Sequence, residues 1–224
     1  VSGSGILNAG AGMTLGNVNV GTGILNITGG TVTTGGTIEL SGNNSTLNVS
    51  GGSLNSGAAP VLDLGGQTGS SATLSINGSG SVTTAWLRLG QFGGAGTTGV
   101  INLGDGNLGG NLIVNNDIAI KNGAALTMNF NGGTLTTSTS WGLGGTLAVK
   151  SGGAIFNVTG NTLTISSNLT DGTGGGGLTK NGTGTLTLSG AGNTYTGTTT
   201  VNAGTLQIGT GGNGSLAQSS NTIV

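Results

Sequence analysis

The chain has no cysteine and no histidine, a single proline, one tyrosine, and only four basic and five acidic residues in 224. Each scarcity removes a class of chemistry. Without Cys or His there is no thiolate or imidazole metal centre, no Ser-His or Cys-His nucleophile pair and no disulfide framework. A net charge of −1 leaves no basic patch for nucleic acid phosphates or an anionic membrane surface. No apolar run approaches the roughly 18 to 20 residues of a bilayer span, so membrane insertion by this segment is not expected, and Val1 to Gly5 do not read as a signal peptide. Opening on Val rather than Met, the sequence reads as a processed or excerpted piece. What is abundant is glycine, 53 residues, which with Thr, Asn and Ser makes up about three fifths of the chain. A third of the residues are nevertheless hydrophobic (33%) and recur in short regular clusters, so the chain has a core to bury and is not disordered.

Those clusters form an internal repeat. Leu25-Asn26-Ile27-Thr28-Gly29-Gly30-Thr31-Val32 returns as Leu47-Asn48-Val49-Ser50-Gly51-Gly52-Ser53-Leu54, and related phrases start at Leu74, Ile101, Met128 and Phe156. The interval is about 27 residues over most of the chain. A second phrase precedes each copy: Ile38-Glu39-Leu40, Leu62-Asp63-Leu64, Leu87-Arg88-Leu89, Ile118-Ala119-Ile120 and Leu147-Ala148-Val149. In an apolar-x-apolar triplet the outer side chains point one way and the middle one the other, which is the pattern of a half-buried strand. Strands this short cannot close a sandwich. They can stack coil over coil into a parallel β-solenoid, with Asn77-Gly78, Asn122-Gly123, Asn131-Gly132 and Asn181-Gly182 supplying positive-φ corners. About eight coils and a rod of about 40 Å follow from the strand spacing.

Stacking also explains the missing charge. Equivalent residues of successive coils lie about 4.8 Å apart, and a column of like charges at that spacing costs on the order of 1 kcal/mol per contact even in water. Asn and Thr avoid that cost, because stacked amides form ladders and β-branched residues pack on a sheet face. The expected columns are Asn26, Asn48, Ser75, Asn102, Asn129 and Asn157, and Thr33, Asn55, Thr83, Thr136 and Thr164.

From Gly177 the text changes to Gly-Leu-Thr-Lys (177 to 180), Gly-Thr-Leu-Thr-Leu-Ser-Gly (184 to 190), Asn-Thr-Tyr-Thr-Gly (193 to 197) and Val-Asn-Ala-Gly-Thr-Leu (201 to 206). Residues 178–208 closely resemble the autotransporter-associated β-strand repeat, also called the passenger-associated transport repeat, departing from it at Thr198, where the family usually has a second Gly. The earlier repeats look, more loosely, like Gly-rich solenoid repeats of large bacterial surface proteins. The resemblance implies a right-handed parallel β-helix in a secreted or surface-displayed bacterial passenger, a repeat thought to assist export and folding, and no catalytic residue. The expected organisation is 1–170 Gly/Asn/Thr-rich solenoid, 171–177 a Gly-rich flexible seam, and 178–224 the transport-type repeat continuing the solenoid.

Several residues invite sharper readings. Glu39 and Asp63 fall in one column about 5 Å apart, near the separation of a retaining glycosidase pair, but with Arg88 next in the column a solvated Glu-Asp-Arg face is expected and no catalysis. Trp86 beside Arg88 on that outer face is the candidate contact for a glycan or partner surface, against the plainer expectation that it covers Val61. Asp105 hints at a calcium turn but stands alone. The Gly-x-Gly-x-x-Gly within 172–177 lacks a helix to follow it and is a product of composition. Thr-x-Thr triplets such as Thr31-Val32-Thr33 are too often interrupted for an ice-binding lattice. Trp141 lies in a Gly-rich stretch without a readable role. The sequence therefore implies a structural extracellular β-solenoid: a stalk, surface fibre or adhesin scaffold with no cofactor, no metal site and no enzymatic activity. Its partners would be its own copies end to end, further coils of a longer passenger, or a glycan or host surface. A carbohydrate-active β-helix is the alternative.

Overall fold

A computed structural model describes residues 1–16, 21–57, 61–91, 95–209 and 222–223. Every regular element among them is a β-strand, and every pairing is parallel. The chain winds as a β-solenoid of about 8 turns, with successive turns about 24 residues apart, so the sequence interval of about 27 was too long. Early coils do reach 27 residues, as between Ser75 and Asn102, but later ones shorten to 21, as between Asn181 and Asn202.

Each full coil visits three faces. On the first, Ile6–Ala9, Thr31–Thr34, Ser53–Asn55, the start of Ser81–Leu89, the start of Asn111–Ile120, Thr134–Thr137, Ala154–Val158, Leu178–Asn181 and Thr199–Val201 follow one another. The second carries Met13–Leu15, Ile38–Leu40, Val61–Leu64 and the latter halves of the two long strands. It passes to a 4-stranded sheet of Trp141–Leu143, Thr162–Ile165, Thr185–Leu188 and Thr205–Ile208. The third is a 7-stranded sheet from Ile24–Ile27 through Ser45–Val49, Ser71–Ile76, Thr98–Leu103, Ala125–Phe130 and Thr146–Val149 to Leu169–Asp171.

Alternation within each triplet fills the interior. Leu47, Leu74, Ile101, Met128, Leu147 and Leu169 form one continuous buried column in register. No single coil buries such a surface; stacking does. The glycines of all four Asn-Gly corners have positive φ, and Asn122 joins them at 53°. At Gly182 a second requirement is added, since a Cβ there would lie 2.8 Å from the Val158 carbonyl carbon.

Two columns differ from the sequence expectation beyond Phe130. The outward amide column runs Asn26, Asn48, Ser75, Asn102, Asn129 and then continues into Ala148 and Thr170, not Asn157. Asn157 lies on the first face, in register with Thr136 and Asn181, while Thr164 lies between Gly142 and Thr187. Leu147 accordingly sits on the third face, not the second. The cause is that apolar-x-apolar triplets are interchangeable among faces, so a shorter coil reassigns every triplet after it. Phe156 points inward from the first face and meets Phe130 from the third, ring centroids 5.0 Å apart.

Candidate functional site

The second face gathers four of the charged residues. Middle residues of its triplets stack as Thr14, Glu39, Asp63, Arg88 and Ala119. Two residues earlier in each strand, Val61, Trp86 and Asp117 form a parallel column. Glu39, Asp63 and Arg88 thus share a column, as the phrase spacing implies. The middle member is not solvated, while Glu39 and Arg88 are half-buried. Asp63 is 1% exposed, and neither carboxylate oxygen has a hydrogen-bond partner. The connections after the strands adjoin this face: a Cβ on Gly66 would lie 2.8 Å from Glu39 Cδ, and the Gln91 backbone lies beside Asp63. Sequence patterning could not see this cover, because it comes from connections and not from a strand.

Burial pushes the Asp63 carboxyl up to about 6, and the Glu39 charge pushes in the same direction. The nearby Gln91 backbone and the Arg88 charge offset this in part. Arg88 does not pair with Asp63. Its guanidinium carbon lies 5.8 Å from the centroid of the Trp86 ring, within cation–π range. Trp86 and Arg88 are both half-buried. Asp117, in register with Trp86, also has a buried Oδ1 without a partner.

A second constellation lies in 178–208. Lys180 occupies an inward position between Phe156 and Val201 and is fully buried. Its ammonium donates to the carbonyls of Asn181 at 2.7 Å, Gly182 at 2.8 Å and Ala203 at 3.1 Å. All three N–H groups are thereby used, and one of them crosses to the next coil. Burial holds the amine below the usual lysine range. Tyr195, also fully buried, shares a 2.7 Å hydrogen bond with the Thr199 hydroxyl. Asn193 Oδ1 accepts from the Leu169 N–H at 2.9 Å, and the Thr194 N–H donates to the Leu169 carbonyl at 2.8 Å. The Asn-Thr-Tyr segment therefore covers the edge strand Leu169–Asp171 of the third face. These roles were missed in the sequence, where the phrase stood out as a signature without a mechanism.

The remaining candidates are structural. Asp105 accepts the N–H groups of Asn107 and Leu108 through Oδ1, which closes its own turn and lowers its carboxyl below the usual range. Trp141 is in a strand, packs against the core and donates Nε1 to Thr137 Oγ1 at 2.6 Å. Asp171 Oδ1 accepts from the Thr196 N–H at 3.0 Å, tying the Gly-rich stretch to the following coil. An open groove lined by Gly78, Ser79, Gly80, Gly109, Gly110 and Thr134 offers no charged or aromatic group.

Residues 178–208 match the family model of the passenger-associated-transport-repeat. No curated protein and no solved structure matches the chain.

Proposed function

We propose that this chain is a stalk segment of a bacterial passenger displayed outside the cell, a scaffold whose product is the rod itself. The observation that carries the reading is the transport-type repeat at 178–208, whose strands extend the same stacks as the preceding repeats: Leu178–Asn181 pairs with Ala154–Val158, and Thr185–Leu188 with Thr162–Ile165. The role is structural and not enzymatic. Coil-on-coil growth fits the first coil, where Ile6–Ala9 and Ile24–Ile27 end their sheets and Ile6, Leu7 and Ile24 are exposed. A further coil, from the same polypeptide or from another copy, would pair those edges.

Negative-stain electron microscopy across a concentration series tests this. Rods about 40 Å long, from about eight strand spacings, or fibres built from them support a stalk; globular particles overturn it. Fibres would in addition establish end-to-end self-association.

A second reading rests on the Trp86 and Arg88 stack, a half-exposed aromatic with an adjoining cation on an otherwise weakly charged rod. It makes this face a contact for a glycan or host surface. Binding on a glycan array that disappears in Trp86→Ala supports it, and an array without signal for the wild type removes it.

A further inference from the structure

We propose that Glu39 and Asp63 form a site for a hard divalent cation of the calcium class, held between two successive coils beside the segment that follows Leu64. Three observations converge on it. The two carboxylates are direct register partners, and Asp63 is 1% exposed with neither oxygen in a well-formed hydrogen bond, the Gln91 backbone being the donor group beside it. A buried carboxylate without partners is costly, and natural proteins supply a counter-charge or a ligand. The connection after Leu64 also adjoins the pair, since a Cβ at Gly66 would lie 2.8 Å from Glu39 Cδ.

Register partners of a parallel sheet have backbones about 4.8 Å apart, which brings both carboxyl groups within reach of one ion. Calcium's flexible coordination accepts such a pair with water completing the shell. The charges facing the pair are few. Arg88 follows Asp63 in the column but lies over Trp86, and Asp117 stands beside Trp86 as a further negative charge. Thr14 and Ala119, at the column ends, carry none. One proton would neutralise one of the two carboxylates; a divalent ion neutralises both.

The test uses the whole chain at neutral pH, stripped with chelator and titrated with calcium chloride to about 5 mM, with melting temperature as the first readout. At a tenfold excess over Kd, the wild type is expected to gain about 3 to 6 °C. Asp63→Asn and Glu39→Gln, which preserve shape, are expected to lose that gain, while Asp105→Asn keeps it. Arg88→Gln is expected to tighten binding, because it removes the nearby positive charge. Terbium provides a second readout: luminescence sensitised by Trp86, saturating at one ion per chain, displaced by calcium and lost in Asp63→Asn. No melting shift in the wild type, or an equal shift in Asp63→Asn, overturns the site. A silent wild type whose Asp63→Asn variant is more stable would identify the carboxylates as a proton-sharing pair.

Discussion

Asn129 donates its side-chain amide to Asn102 Oδ1 at 2.9 Å, although 27 residues of chain separate them. Asn102 in turn donates to Ser75 Oγ at 3.3 Å, and Asn48 donates to Asn26 at 2.8 Å. All three donors point to the preceding coil, so these rungs have a direction and each ties one turn to its neighbour. Such bonds contribute about 1 kcal/mol each. Asn102→Ala, which breaks two of them, is expected to cost about 1 to 2 kcal/mol in urea unfolding. A double-mutant cycle with Asn129→Ala should give a coupling of about 0.5 kcal/mol or more; strict additivity would show that the rung carries no energy.

The Lys180 ammonium links the turn at 181 to 182 with the turn at Ala203. Lys180→Met keeps the buried stem but leaves those carbonyls without their donor, an expected cost of about 2 to 4 kcal/mol. Because a solenoid is stabilised coil by coil, the loss should be local. Hydrogen exchange should accelerate across Thr199–Val201 and Thr205–Ile208, with Ser71–Ile76 unchanged. Uniform loss of protection along the rod would contradict this.

Tyr195 fills the core below the end of the third face with its hydroxyl on Thr199. Tyr195→Phe removes the bond and keeps the packing, with an expected loss of about 1 kcal/mol. Tyr195→Ala opens a cavity and should cost about 3 to 5 kcal/mol. Denaturant midpoints for the pair separate the two contributions; equal effects would mean the ring packs nothing.

Asp63 makes stability depend on pH in chelator-treated protein. Its carboxyl moves from 3.8 to about 6 on folding, so the folded state binds more protons in that interval. The contribution of Asp63 is then complete below about pH 4 and is lost as pH rises through about 6, by at most about 3 kcal/mol. Asp63→Asn should flatten the profile and be the more stable protein at pH 7. Urea midpoints at several pH values read this directly, and a wild-type profile parallel to that of Asp63→Asn would refute it.

The sequence by itself determined the solenoid, because an apolar-x-apolar triplet recurring with glycine corners can bury its outer residues only by stacking on another coil. It also determined the first five positions of the outward column, from Asn26 to Asn129, and the succession Glu39, Asp63, Arg88, because there each repeat phrase recurs once per coil even though the coils run from 22 to 27 residues. Tertiary structure decided which face each later triplet joins. Phe156 and Leu147 both fit the repeat phrase, and only the shortened coil, with Phe156 against Phe130, places Leu147 on the third face. It also decided that Asp63 is buried, since a middle residue of a triplet faces outward by periodicity and its cover comes from neighbours such as the Gln91 backbone that lie outside the triplets. Periodicity is local and therefore written in the sequence; register and cover depend on how long each turn is and where its loop comes to rest.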